Sequence, residues 1–185
     1  MKHLKKLIAL FLTVLMLLSG CAKRPEPEVF RSSGDRWTVG FGRAEITVTD
    51  AERKDLYIAG YNQGWHPTGL YDQSTAWAVW LQAGEESTLL IGVDCVALST
   101  VHVEEIRERT KHLNSSSINV YATHTHAGAD TLGLWGPLMV DGKNDAFMEK
   151  LIDACAQAAE DAAADKRTGE LRFGTAKGEI EFLRD

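Results

Sequence analysis

The chain has 185 residues, 44% hydrophobic and 25% charged, with a formal net charge of −6. An acidic excess argues against a nucleic-acid partner, and three cysteines are too few for a disulfide framework.

In chain order, Lys2, Lys5 and Lys6 precede an apolar run over residues 7–18, too short for a stable transmembrane helix and flanked like a secretory signal. It ends in Leu18-Ser19-Gly20-Cys21, which resembles the lipobox of bacterial lipoproteins, so residues 1–20 are expected to be removed and Cys21 lipidated. That removal leaves 17 basic residues against 26 acidic ones, a net of −9. The chain is then extracytoplasmic, anchored by its lipid to the cell membrane or the outer membrane. Residues 21–36 hold two prolines and few apolar side chains and read as a tether.

The domain starts near Trp37. Residues 37–48 alternate around Gly40 and Gly42 as a first strand, and residues 57–75 form a long glycine-containing loop, a length that points to function. Residues 76–83 and 88–98 are two apolar strands joined by a hairpin at Gly84-Glu85-Glu86, the second apolar enough for the sheet interior. Residues 101–113 have helical spacing, with Val103, Ile106, Thr110 and Leu113 on one face. Residues 118–123 return as a strand, closing a parallel strand-helix-strand unit. Residues 145–165 form a long helix with a stripe running from Phe147 to Ala162, and residues 170–182 read as a hairpin or edge pair. The fold class is α/β, a mixed sheet with flanking helices. Cys95 and Cys155 read as small buried hydrophobes, although an exported protein permits a disulfide between them.

The chemistry concentrates at residues 121–137, where an apolar run ends in His124 and His126 and opens into a glycine-broken loop. Side chains two apart on extended backbone share a face, so the two imidazoles can converge on one centre, and imidazole is the commonest zinc ligand. His-X-His also arises by chance, and a strand-end histidine can serve only a loop carbonyl. Ligands of open sheets bind beyond the carboxyl ends of the strands, where this pair sits. Asp94 can point into the same crevice or fix a loop. His102 and His112 fall on the helix, and His66 either lines a cleft or is a plain loop histidine. Trp77 and Trp80 read as core, whereas Trp65 and Trp135, on glycine loops, are groove candidates together with Tyr61.

Gly42-Arg43-Ala44-Glu45-Ile46-Thr47, Ala59-Gly60-Tyr61, Leu90-Ile91-Gly92-Val93-Asp94 and, above all, Ala122-Thr123-His124-Thr125-His126-Ala127-Gly128 resemble the N-terminal part of the neutral/alkaline non-lysosomal ceramidase family. The stretches 130–137 and 171–174 match its bacterial lipoprotein-like branch. The resemblance implies that residues 37–185 are the N-terminal portion of an α/β catalytic domain of a zinc (Zn2+) amide hydrolase that cleaves ceramide into fatty acid and sphingosine. It implies His124 as a zinc ligand and His126 as the catalytic histidine beside the metal. The family takes its other ligands from far downstream, so this chain is expected to be a fragment, inactive alone. The alternatives are a lipid-anchored binding module, which would purify without stoichiometric zinc, and a related amidase with another substrate. Partners are then an N-acyl lipid and a membrane, and nothing in the sequence identifies a protein partner.

Overall fold

The hairpin read from Gly84-Glu85-Glu86 forms the middle of the sheet. The structure, a computed structural model, describes residues 36–170. β1 (Trp37–Ile46), β2 (Ser74–Ala83), β3 (Glu86–Val93), β4 (Ser117–Ala122) and β5 (Arg167–Gly169) stand in the order β4-β3-β2-β1-β5. β3 and β4 are parallel and the other pairs antiparallel, so the sheet is mixed. β2 holds the centre and β3 lies beside it. The apolar character of β3 reflects its interior place, with Leu89, Ile91 and Val93 at 0% exposure.

α1 (Thr100–Thr110) joins β3 to β4, and a 3-10 turn (Lys111–Leu113) ends it at Asn114, whose φ of 56° is left-handed. α2 (Asp145–Ala164) is capped by Asn144, whose Oδ1 accepts from the Phe147 N–H at 2.9 Å. Its buried stripe is the one read from the sequence, with Ala154 added. α2 packs across β1 and β2, and α1 packs beside it. The approach to β1 is so close that a Cβ on Gly42 would sit 1.9 Å from the Ala158 carbonyl oxygen, and one on Gly40 would sit 2.0 Å from that of Ala162. Glycine on the strand and alanine on the helix are therefore one packing solution. Arg109 clamps the two helices through Glu105, Glu149 and Asp153.

The end of the third strand differs from expectation. The strand expected over 88–98 leaves the sheet after Val93, because the Asp94 carboxylate accepts from the Thr75 N–H and the Thr123 hydroxyl and so ties the segment to β2 and to the end of β4. Cys95 is thus past the strand, although buried and free like Cys155. The expected terminal pair over 170–182 lies outside the described residues beyond Glu170, as do the expected signal and Cys21. Residues 167–169 add a short edge strand to β1.

Candidate functional site

Beyond the carboxyl ends of β3 and β4 the chain runs as two tied segments. The Thr123 N–H donates to the Val93 carbonyl at 3.1 Å and the Thr125 N–H to the Cys95 carbonyl at 3.2 Å. His124, between those two bonds, is held at φ 61°, a left-handed conformation that L residues rarely adopt. Strain of this kind persists only where the surroundings over-determine it, and it gathers at functional sites. The two histidines converge as expected, but by a different route: β4 ends at Ala122, and the turn at His124, rather than strand alternation, aims the ring.

The ring is fixed as well. His124 Nδ1 lies 2.7 Å from the Val96 carbonyl oxygen. A carbonyl only accepts, so Nδ1 carries the proton and the Nε2 lone pair is free. His126 Nε2 is 3.4 Å from that atom, with ring centroids 5.0 Å apart. This separation is long for a hydrogen bond, so the two rings are close neighbours rather than bonded partners. The geometry leaves His124 Nε2 open to a metal, with the backbone carbonyl orienting that imidazole and His126 Nε2 beside it. Among the described residues no third His, Cys, Asp or Glu joins the pair.

His126 is seated by the long loop. A Cβ on Gly60, whose φ is +104°, would lie 2.3 Å from His126 Cγ, so the glycine backbone lies flat against the imidazole. Tyr61 meets the same ring edge-on, with centroids 5.2 Å apart. The loop is stitched to the histidine segment by the Ala59 N–H on the Gly128 carbonyl, a bridge between Ile58 and Ala129, and the Asp130 N–H on the Tyr57 carbonyl.

Asp130 is 1% exposed, and its carboxylate is consumed by backbone: Oδ1 accepts from the Leu132 and Gly133 N–H groups at 2.9 and 2.8 Å, and Oδ2 from Trp135 at 2.8 Å. This latches the next loop, and the Thr131 hydroxyl adds a bond to the Ala97 carbonyl. Neither role was assigned from sequence; an aspartate just before Leu132-Gly133-Leu134-Trp135-Gly136, a loop offering several N–H groups, is the signal that carried it. The Val96 carbonyl left no sequence signal at all, since any residue supplies one.

A groove of about 710 Å³ runs from His126, Asp94 and Gly128 along Tyr61, Trp65, Leu70 and Tyr71, floored by Leu56 and Phe147. Asp94 thus fixes its two neighbours and also faces the groove. Trp65 lines it as expected. Trp135 instead offers its carbonyl to the Gly64 N–H. His66 is a loop histidine, its Nδ1 2.8 Å from the Leu56 carbonyl and its ring stacked near Tyr57. His102 bonds the Ser99 hydroxyl, and His112 lies 3.4 Å from Glu160. Trp80 is core, whereas Trp77 is half-buried against Gly92 and Tyr121. Burial pushes the Cys95 thiol, beside the site, up to about 12, and a thiol so protonated is a poor ligand.

No family model matches the sequence, and no curated protein matches it either. Among solved structures, the fold is similar to neutral ceramidase from Pseudomonas aeruginosa, with a TM-score of 0.61 and 18% identity over 72% of this chain and 22% of that one. It is also similar to a ceramidase complexed with C2, with a TM-score of 0.56 and 19% identity over the same shares. The chain therefore spans about a fifth of those proteins, and the shared feature is an α/β fold.

Proposed function

We propose that this chain carries part of the active site of a zinc-dependent amide hydrolase acting on ceramide or a related N-acyl lipid. The observation that carries the reading is His124, its tautomer set by the Val96 carbonyl and its Nε2 3.4 Å from that of His126, which lines the head of the groove. His124 holds the metal through Nε2, and a catalytic zinc takes about three protein ligands, so the rest of the shell comes from outside the described residues. A zinc ion there supplies Lewis acidity toward an amide carbonyl and makes water more acidic.

His126, seated against Gly60, directs Nε2 at the same point and donates a hydrogen bond to oxygen as negative charge develops there. Asp94 ties the chain beside the histidines through Thr75 and Thr123, and Asp130 latches the loop that follows them. Trp65, Leu70 and Tyr71 give an acyl chain an apolar wall to lie against. A related amidase would share this chemistry and differ in what the wall accepts. We also read the chain as extracytoplasmic and anchored by a lipid on Cys21.

The test is hydrolysis of an N-acyl lipid by the protein expressed from its complete reading frame, before and after chelation and zinc return. Activity should vanish with the metal, return with it, and be absent in His124→Ala. Activity indifferent to chelation would remove the zinc mechanism, and a fully active His124→Ala would remove the assignment.

A further inference from the structure

The oxygen that fixes His124 lies in irregular backbone. His124 Nδ1 is 2.7 Å from the Val96 carbonyl, so Nε2 keeps its direction only as long as the peptide between Val96 and Ala97 keeps its own. That peptide falls between the end of β3 at Val93 and the start of α1 at Thr100, where neither a sheet ladder nor a helix holds it. Its orientation therefore has to come from specific bonds.

Hydrogen bonds bracket the peptide on both sides. On one side the Cys95 carbonyl accepts from the Thr125 N–H at 3.2 Å. On the other the Ala97 carbonyl accepts from the Thr131 hydroxyl at 2.5 Å. The first bond comes from the histidine segment itself and moves with it. The second comes from the loop that the neighbouring Asp130 carboxylate latches, so it ties the peptide to a point fixed independently of the pair. Thr131 is 0% exposed and Val96 3%, so water does not compete for the hydroxyl. The Cys95 thiol also reaches the Ala97 carbonyl, at 3.6 Å, but a thiol is a weak donor and does not replace it.

We propose that Thr131 is a positioning residue for His124, its hydroxyl holding the peptide whose Val96 carbonyl keeps the Nδ1 proton and so aims Nε2. The strain at His124 makes the ring depend on such support. A non-glycine residue at φ 61° relaxes unless its surroundings hold it, and one of the groups that hold it is this carbonyl. Without the hydroxyl, the Ala97 carbonyl keeps only the thiol, the segment turns toward another donor, and the Val96 carbonyl leaves the line of Nδ1. Thr131 bonds Ala97 rather than the imidazole, so its substitution reaches the ring through the backbone.

The inference rests on the reading of His124 as a zinc ligand, but the orientation of the ring can be measured without metal. The test uses protein from the complete reading frame, labelled with nitrogen-15 at histidine and stripped of metal. Nuclear magnetic resonance follows exchange of the His124 Nδ1 proton with water, His124→Ala identifying the signal, and zinc affinity is then measured by competition with a chelator.

Thr131→Val keeps the side chain's shape and removes its hydroxyl. The proton should then exchange at least about tenfold faster and zinc bind about tenfold more weakly, the lower end of what loss of a metal ligand's supporting partner costs. Thr131→Ser should restore both. Thr110→Val, which strips another wholly buried hydroxyl from the Ile106 carbonyl, should change neither. Should Thr131→Val not fold, Thr131→Ala takes its place. Wild-type exchange in the folded variant without the hydroxyl overturns the proposal, as does a Thr131→Ser no better than it. Exchange that responds as expected in protein that takes up no zinc upholds the positioning role and overturns only the zinc reading.

Discussion

Gly60 and His126, 66 positions apart, are in face-to-backbone contact: a side chain on the glycine would begin 2.3 Å from the imidazole Cγ. The φ of +104° at Gly60 and the orientation of His126 are therefore one structural fact, since the backbone turns away from ordinary L conformations just where the ring needs the space.

Gly60→Ala should consequently act on the site and on stability together. The left-handed backbone alone costs an alanine about 1–2 kcal/mol, and the clash forces the His126 ring off its position. We expect a lower midpoint in urea denaturation and slower hydrolysis of an N-acyl lipid by the protein expressed from its complete reading frame. Wild-type hydrolysis in Gly60→Ala would show that the seat does not matter.

Asp130 supports the same region through charge rather than shape. Its replacement by Ala leaves three N–H groups without their acceptor, and each buried orphan costs about 1–3 kcal/mol. The loss should be about 3 kcal/mol in all, since the opened loop lets water reach some of them. The freed loop should also become a chymotrypsin site, because Leu134, Trp135, Leu138 and Met139 would sit in a frayed segment. Digestion at wild-type rate would contradict the latch.

Much of this was legible locally. The β2–β3 hairpin, the parallel unit and the stripe of α2 follow from periodicity and turn residues, which act over a few positions. The histidine pair was legible as composition, but its geometry was not. The left-handed turn at His124 is imposed by bonds to Val93 and Cys95 in another segment, and the ring is set by a carbonyl with no residue signature. The end of β3 at Val93 was hidden for the same reason: Asp94 is tied from Thr75 and Thr123, neither of them near in sequence.

Glu52 should contribute to the acid response. Hydrogen bonds from Lys150, and from Thr49 backbone and hydroxyl, hold its carboxyl at about 2, below the ordinary glutamate value of 4.5. A carboxylate depressed on folding contributes stability that is complete above its unfolded value and is lost as pH falls from 4.5 toward about 2. Lys150 also bonds the Thr47 carbonyl, so protonation loosens α2 from the end of β1. The thermal midpoint should fall across that window in wild type and fall less in Glu52→Gln; parallel curves would exclude the group.

Cysteine reactivity tests the burial of the two core thiols. Burial pushes Cys95 and Cys155 up to about 12, so both are protonated and shielded at neutral pH. A thiol reagent should find neither in the folded chain and both in denaturant, whereas a disulfide between them would release nothing on unfolding.

The strained backbone at His124 gives a comparison in which stability and binding part company. At an ordinary position Ala is more stable than Gly by about 0.5–1 kcal/mol, because glycine loses more freedom on folding. At φ 61° the order should invert, since Cβ crowds the following carbonyl and only glycine escapes that cost. Both His124→Gly and His124→Ala lose the imidazole and its bond to Val96, so zinc retention should collapse equally in the two. Urea denaturation should nevertheless rank His124→Gly above His124→Ala by about 1 kcal/mol. If the ranking follows the ordinary order, the left-handed turn is not part of how this ring is aimed, and the pair must reach its 3.4 Å separation in another way.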